Sequence, residues 1–211
     1  MENQDLTGIR NIIFDFGNVL LNIDPRLTQQ AFADLGIRPG VDFWGSRSSA
    51  QLLINFEKGN IAPDEFRKGA LNMLNDGITP DQVDQAWNAL LLDFPSKRVD
   101  MLKQLRQHYR LYLLSNSNQI HYMHYTRAFE QKFGFPLDTL FEKMWFSHQL
   151  GRVKPDPQIF TFVLDDANLI PQQTLFIDDT LMHVEAARNL KINAWHLKPG
   201  DEVVELLVSD L

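Results

Sequence analysis

Four groups of polar residues in this 211-residue chain have side chains that could bind or transfer a phosphoryl group. In chain order they are Asp15, Ser115-Asn116, Lys154 and Asp178-Asp179. Carboxylates bind hard cations through oxygen, and a carboxylate can also accept a phosphoryl group to form an aspartyl phosphate. An ammonium group and a cation offset the charge on phosphoryl oxygens. These residue types together favour phosphoryl-transfer chemistry.

Each group taken alone also has an ordinary structural explanation. An aspartate after a strand is commonly a turn residue or a helix cap, and a Ser-Asn pair is commonly a cap. A lone lysine is usually a solvated surface charge. Asp178-Asp179 is harder to explain in this way, because two adjacent acids repel each other and need a cation or exposure to solvent. Coincidence is therefore a poor explanation for the presence of all four groups in one chain.

Short apolar runs flanked by helical patterns predict the strands that would position these groups. Strands are predicted at residues 11–14, 111–114, 174–177 and 192–196, with a weaker one at 143–147. Helices are predicted at residues 99–108, 158–167 and 181–190. The alternation predicts an α/β fold, a doubly wound parallel sheet with helices on both faces. Ligands bind at the carboxyl ends of such strands, so the three groups that follow strands are expected to converge there, with Lys154 at a helix start as a fourth element.

Residues from about 25 to 94 contain helical patterns and no clear strand. Helices are predicted at residues 28–35, 50–58, 63–74 and 80–91, and Pro63 and Pro80 lie where a first helical turn tolerates proline. An all-helical insert after the first strand suggests a cap over the site. We therefore predict a core domain of residues 1–21 and 96–211 and a cap domain of residues 22–95. The cap aromatics Phe43-Trp44 and Phe56 would either set specificity or fill the cap core, and we expect the core.

Composition limits the partners and the location. The formal net charge is −7, and an acidic protein repels phosphate backbones, so nucleic-acid binding is not predicted. The chain has no cysteine, which excludes thiol catalysis and thiolate metal sites. Residues 1–10 lack the apolar core of a signal peptide, and no apolar run approaches a membrane span. We expect a cytoplasmic protein whose partner is a small phosphorylated molecule, with no membrane and no protein partner predicted.

Four ordered motifs resemble those of the haloacid dehalogenase (HAD) superfamily. They are FDFGNVL at 14–20, LSNSN at 114–118, KPDPQIF at 154–160 and FIDD at 176–179. The resemblance spans the chain and is greatest to the branch with a helical cap after the first motif. That branch includes a sugar-1-phosphate phosphatase and the N-terminal phosphatase domain of soluble epoxide hydrolase. It implies a Rossmann-like HAD core and a phosphoric monoester hydrolase acting on a small metabolite such as a sugar phosphate.

The resemblance also implies which residues handle the phosphoryl group. Asp15 would be the nucleophile that forms the aspartyl-phosphate intermediate. Ser115 and the backbone around Asn116 would bind the phosphoryl oxygens. Lys154 would bind the same oxygens and hold Asp15 in place, so that Asp15 and Lys154 are the catalytic residues that the resemblance implies.

The cofactor implied by the resemblance is Mg²⁺. Asp15 would bind the ion through its carboxylate and Gly17 through its backbone carbonyl. Asp179 would be the principal distal ligand, and Asp178 would act behind it or bind through a water molecule.

One position departs from the family pattern. Most family phosphatases carry a second aspartate two residues after the nucleophile, where this chain has Gly17. That aspartate protonates the leaving oxygen and then activates water, and positioned acid–base catalysis is typically worth about 10²–10⁴-fold. Glycine does not titrate, so we expect slow turnover. Substrates with good leaving groups, such as sugar-1-phosphates, would be affected least.

Asp24 is the sequence candidate for the missing acid–base group. The linker from the first motif into the cap should pass over the metal site, and Pro25 restricts Asp24 to extended conformations. The alternative is that Asp24 caps the first cap helix, with Pro25 at its first position. Sequence alone leaves both interpretations open.

Three other functions fit part of the pattern. A dehalogenase of the same superfamily also uses an aspartate nucleophile but needs no cation, so Asp178-Asp179 favours phosphate chemistry. A phosphomutase depends on the aspartate that Gly17 replaces. A signalling receiver domain carries its acidic pair after the first strand and has no place for a cap. A catalytically degenerate member that binds a phosphorylated ligand without turnover remains an alternative.

Several polar residues near the motifs have two interpretations. His183 either hydrogen-bonds Asp179 or faces solvent. Asn118 either faces the site or caps a helix. His121 and His124 have metal-ligand spacing on a predicted helix, but they lack a third ligand, so we expect both to be surface residues.

Overall fold

A computed structural model describes residues 6–207, which contain one five-stranded sheet in the order β3-β2-β1-β4-β5. Every pair of neighbouring strands is parallel. The strands are β1 (Asn11–Phe14), β2 (Arg110–Ser115), β3 (Lys143–Phe146), β4 (Thr174–Asp178) and β5 (Asn193–His196). The predicted α/β fold is therefore confirmed, and the weak strand prediction at 143–147 corresponds to β3.

The strand order places a ligand-binding crevice at the carboxyl end of β1. From β1 the chain moves to β2 and β3 and then returns to β4 on the other side, so the order reverses between β1 and β4. The register pairs Phe14 with Ile177. The residues that follow, Asp15 and Asp178, must therefore emerge side by side at the same edge of the sheet.

Helices cover both faces of the sheet, because alternate strand residues point to opposite sides. In β1, Ile12 and Phe14 belong to one buried cluster and Ile13 to another. The first cluster is completed by α5 (Ser96–Leu105), α6 (Gln119–Phe133) and α10 (Val203–Leu207). The second is completed by α8 (Pro157–Asp166) and α9 (Leu181–Asn189). A single turn, α7 (Ser147–Leu150), directly follows β3.

Four helices form the cap between β1 and β2. They are α1 (Pro25–Leu35), α2 (Arg47–Glu57), α3 (Pro63–Leu71) and α4 (Pro80–Asn88). Their apolar side chains form a cluster of their own, in which Phe56 and Phe66 stack with centroids 4.3 Å apart. Phe43 is buried in the same cluster and Trp44 packs against it, as expected for cap-core residues.

Cap helices α3 and α4 begin at Pro63 and Pro80 as predicted, whereas α1 and α2 begin three residues earlier than apolar periodicity predicts. Asp24 accepts a hydrogen bond from the Arg26 amide, so α1 begins at Pro25. Ser46 accepts a hydrogen bond from the Ser49 amide, so α2 begins at Arg47. Helix-capping residues are polar and do not contribute to an apolar periodicity, so the periodicity places the start of these two helices too late. The domain boundaries at residues 22 and 95 remain a prediction.

Polar contacts seat the cap on the carboxyl edge of the sheet. The Trp87 Nε1 donates to Asn118 Oδ1 at 3.2 Å, which joins α4 to the start of α6. The Ser147 hydroxyl lies 2.7 Å from the Glu57 carbonyl oxygen, which joins α7 to the end of α2. The cap therefore lies over the end of the sheet where Asp15 emerges. Among residues 6–207, no helix is both long and apolar enough to cross a membrane.

We expect Phe66→Ala to reduce the free energy of unfolding by about 3–5 kcal/mol, the usual cost of removing a buried phenylalanine. Phe66 is fully buried and contacts both Phe56 and Trp87. Urea denaturation followed by tryptophan fluorescence measures the change. Leu92→Ala is the control, because Leu92 is 50% exposed. A loss at position 66 no larger than that at position 92 would contradict the packing described for the cap.

Candidate active site

The centre of the site is a lysine held between two carboxylates. Lys154 Nζ donates to Asp15 Oδ1 at 2.6 Å, to Asp178 Oδ2 at 2.7 Å and to the Leu114 carbonyl at 3.0 Å. All three charged side chains are buried. The carboxyl ends of β1, β2 and β4 thus meet at one ammonium group, as the motif positions predict.

Asn116 fixes the backbone that carries this lysine. Its Nδ2 donates to the Lys154 carbonyl at 2.9 Å, and its Oδ1 accepts from the Lys154 amide at 2.8 Å. The side chain of Asn116 is therefore committed to Lys154, and only its backbone is free to face a phosphoryl group. Ser115 is buried beside it, and within residues 6–207 its hydroxyl makes only a long contact of 3.4 Å with the Asn116 carbonyl.

The carboxylates differ in their proton affinity. Burial has the largest effect on the pKa of Asp15 and raises it. The negative charge of Asp178 acts in the same direction, and together they outweigh the lowering effect of Lys154, so the pKa of Asp15 is raised to about 7. Burial acts in the same direction on Asp178, but Lys154 and His183 outweigh it and lower that pKa to about 2. Burial opposes the charge on Lys154, but the two carboxylates raise its pKa overall, so it stays an ammonium group. A further cation at this edge would favour the ionised form of Asp15.

Asp15, Asp178 and Asp179 form a cluster that suits such a cation. One carboxylate oxygen from each lies within 4.8 Å of the others. Asp178 is occupied, since Lys154, the Thr180 amide and His183 all donate to it. Asp179 accepts from Asn18 at 3.0 Å and from the Thr180 hydroxyl at 3.3 Å, which leaves lone pairs on its two oxygens. Carboxylate oxygens such as those of Asp15 and Asp179 are the ligands that hard cations prefer. The donor set therefore fits a divalent metal ion.

The turn after β1 brings Ile23 back against Gly17. An ideal Cβ placed on Gly17 would lie 2.9 Å from Ile23 Cδ1, the end of a flexible side chain. Asn18 adopts a left-handed conformation with φ 56°. Its Nδ2 donates to Asp179 Oδ2 at 3.0 Å, and its Oδ1 lies 3.4 Å from the Ile23 amide. Asn18 thus orients Asp179, a role that sequence reasoning missed.

Asp24 occupies the helix-cap position. Its carboxylate accepts from the Arg26 amide and also forms a two-point ion pair with the Arg26 guanidinium, at 2.9 and 2.7 Å. Hydrogen bonds from Arg26 lower the pKa of Asp24. A carboxylate held ionised in this way is a poor proton donor. The geometry favours the capping interpretation, and the catalytic one remains an untested prediction.

The histidines differ from expectation. The hydrogen-bond partner of His183 is Asp178 and not Asp179, because the His183 Nδ1 lies 3.0 Å from both oxygens of Asp178. His121 is buried, stacks on Trp87 with centroids 5.0 Å apart, and contacts Asn88 through Nδ1 at 2.9 Å. The expectation of two surface histidines is therefore wrong for His121. The cap supplies its partners, and local spacing does not reveal them.

Asn118 serves as a helix cap. Its Oδ1 accepts from the His121 amide at 3.1 Å at the start of α6 and also accepts from the Trp87 indole. The amide therefore links the second motif to the cap.

Residues 9–191 match the family described as haloacid dehalogenase-like hydrolase. The chain belongs to this family of hydrolases, which confirms the resemblance drawn from the four motifs. It is 31% identical to the D-ribitol-5-phosphate phosphatase of Bacteroides thetaiotaomicron over 192 residues, covering 91% of this chain and 93% of that protein. It is 26% identical to the sesquiterpene phosphatase astK of Aspergillus oryzae, covering 90% of this chain and 91% of that protein.

The fold is also that of solved family members. A crystal structure of the HAD family enzyme bt-2542 from Bacteroides thetaiotaomicron, in complex with magnesium and inorganic phosphate, superposes with a TM-score of 0.85. The two chains are 33% identical, and the match covers 94% of this chain and 98% of that one. A predicted HAD-like family hydrolase from Porphyromonas gingivalis gives a TM-score of 0.85 at 28% identity, covering 95% of this chain and 97% of that one.

We expect Asn116→Ala to reduce kcat by about 10²-fold, because a displacement of about 1 Å at a reacting group has that effect. The change frees the backbone of Lys154 and so loosens the ammonium group from Asp15. Initial rates with p-nitrophenyl phosphate measure it. Asn193→Ala is the matched control, since Asn193 also donates to backbone carbonyls but lies on β5 away from Lys154. An unchanged kcat at position 116 would refute the positioning role.

We expect Asp24→Asn to leave the rates almost unchanged for both an alkyl phosphate and p-nitrophenyl phosphate, because asparagine is a nearly equal helix cap. Asp24→Ala should instead cost about 1 kcal/mol of stability with the same rates. Steady-state kinetics on the two substrates and thermal melts measure these effects. A large drop in kcat confined to the alkyl phosphate, which has the poorer leaving group, would restore Asp24 as the acid–base group.

Proposed function

We propose that this chain is a Mg²⁺-dependent phosphatase that hydrolyses the monoester of a small phosphorylated metabolite through an aspartyl phosphate on Asp15. The observation that carries the proposal is the meeting of Asp15, Asp178 and Asp179 at the switch point of the sheet, where Lys154 pairs with the first two. The phosphatase relatives, and the bt-2542 complex with magnesium and inorganic phosphate, support the same chemistry.

The geometry suits Asp15 as the nucleophile. Its Oδ1 is held by Lys154 at 2.6 Å, which leaves Oδ2 available for attack on phosphorus. A bond then forms between this oxygen and phosphorus while the ester P–O bond breaks, and the leaving alkoxide takes a proton from water. Attack of a second water on the aspartyl phosphate releases inorganic phosphate and restores Asp15.

The neighbouring residues would bind and orient the phosphoryl group. The buried hydroxyl of Ser115 and the backbone around Asn116 lie at the carboxyl end of β2, beside the lysine. Asp15 and Asp179, with the Gly17 carbonyl, would hold Mg²⁺, and Asp178 would keep Lys154 in place behind them. When bound, the ion supplies positive charge that offsets the phosphoryl oxygens.

A dehalogenase is the less favoured function. That chemistry needs an aspartate nucleophile but no cation, whereas here Asn18 orients Asp179 toward the carboxylate cluster. A degenerate member that binds a phosphorylated ligand without turnover has the same binding groups. Phosphate release distinguishes it from the proposed enzyme.

We expect the protein to release phosphate from p-nitrophenyl phosphate when Mg²⁺ is present and to lose this activity in excess chelator. Asp15→Asn should lower kcat by at least about 10³-fold with Mg²⁺ present, because the amide is a poor nucleophile and a weaker metal ligand. Its fold, followed by circular dichroism, should be unchanged. Asp81→Asn on the exposed first turn of α4 is the control and should keep wild-type rates. Turnover by Asp15→Asn at the wild-type rate would overturn the assignment.

A further inference from the structure

Arg98, in the first turn of α5, is a buried cation that the proposed reaction does not use. Its Nε and Nη2 donate to the two carboxylate oxygens of Glu202 at 2.9 and 3.2 Å. Its Nη1 donates to Asn22 Oδ1 at 3.0 Å. The residue is only 7% exposed. One guanidinium therefore joins the residue that precedes α10 to the segment that leads from β1 into the cap.

Asn22 lies where the two segments between core and cap run side by side. Its amide donates to the Asp93 carbonyl at 3.0 Å, and its carbonyl accepts from the Leu92 amide at 3.0 Å. Its Nδ2 donates to Asp93 Oδ1 at 2.9 Å. With the bond from Arg98, every polar atom of Asn22 is paired. Arg98 thus ties this pair of segments to a core helix.

Asn22 also stands between the two residues that hold Asn18. The Asn18 amide donates to the Leu21 carbonyl at 2.7 Å, and Asn18 Oδ1 lies 3.4 Å from the Ile23 amide. Asn18 has a φ of 56°, a sparsely populated conformation that persists only where the surroundings fix it. A shift of Asn22 would therefore move both of the contacts that hold Asn18, which donates to Asp179 Oδ2 at 3.0 Å.

The turn held in this way carries two of the three proposed Mg²⁺ ligands. Gly17 directly precedes Asn18, and Asp179 is the carboxylate that Asn18 orients. The third ligand, Asp15, is fixed separately by Lys154 at 2.6 Å. Groups that orient metal ligands from behind typically change metal affinity 10–100-fold when they are removed. Loss of the Arg98 contact would thus reach the metal ligands without disturbing the nucleophile.

We propose that Arg98 is a positioning residue for the metal site, which holds Asn22 and thereby fixes the turn that presents the Gly17 carbonyl and Asp179 to Mg²⁺. This role rests on the proposed Mg²⁺-dependent function. It makes the affinity for the ion depend on a residue of α5 that forms no hydrogen bond with Asp15 or Asp179 among residues 6–207.

The alternative is that Arg98 only stabilises the fold through its ion pair with Glu202. Lys97 offers a matched control, because its Nζ also pairs with Glu202, at 2.9 Å, but does not bond Asn22 within the described part of the chain. Asn22→Leu provides the complementary change. Leucine has nearly the shape of asparagine but offers no acceptor, and this substitution leaves the pair between Arg98 and Glu202 intact.

The test titrates metal-free protein with Mg²⁺ in a calorimeter. Arg98→Met and Asn22→Leu should each raise the Kd for Mg²⁺ by about 10-fold. The double variant should be no weaker than the weaker single variant, since both substitutions break the same contact. Lys97→Met should bind like the wild type. At saturating Mg²⁺ the kcat for p-nitrophenyl phosphate should stay close to the wild-type value, because Asp15 and Lys154 remain paired.

Hydrogen exchange of the metal-free proteins gives a readout that needs neither the ion nor turnover. The amides of Asn18, Leu20 and Leu21, which bond within the turn, should exchange faster in Arg98→Met and Asn22→Leu than in Lys97→Met. A purely structural role predicts instead a lowered melting temperature in Arg98→Met, with exchange in the turn and the Kd for Mg²⁺ unchanged in Asn22→Leu.

The outcomes separate this role from the proposed function. A wild type that binds Mg²⁺, with an unchanged Kd in Asn22→Leu or with additive losses in the double variant, would overturn the role of Arg98 alone. A wild type that binds no Mg²⁺ would overturn the proposed function and this role together. If Arg98→Met does not fold, Asn22→Leu against Lys97→Met decides the question.

Discussion

The structure of the site depends on one buried ion cluster, the ammonium group of Lys154 between Asp15 and Asp178. Removing three charged groups from water is costly, and the cost is offset only when charges are paired and the remaining polar atoms are bonded. The Leu114 carbonyl and the amide of Thr180 complete that bonding. The partners come from the ends of three parallel strands. The cluster therefore forms only if the register of the sheet and the position of the loop that carries Lys154 are both correct.

The surrounding residues serve largely to maintain this cluster and leave one side of it open. Asn116 holds the lysine backbone, and His183 closes the buried side of Asp178. Asn18, which adopts a left-handed conformation in the turn after β1, donates to Asp179 and so orients it.

Features that favour function here reduce stability. Asp15 is held in buried surroundings that raise its pKa. A metal ion at this edge would supply positive charge to the Asp15 carboxylate. Contacts at Ser147 and Asn118 hold the cap over the edge where Asp15 emerges.

The sequence by itself determined the strands, the cap helices and the residue types that meet at the site. Apolar runs mark buried strands, and the polar residues that follow them must lie at the same edge of a parallel sheet. Only the tertiary structure decided what each polar side chain contacts. Lys154 and Asp15 are 139 residues apart in sequence. No local sequence pattern indicates that Asn116 holds this lysine or that His121 is buried under the cap. Periodicity reports the environment of a segment, whereas a side-chain partner depends on a second segment whose position is set by the whole fold.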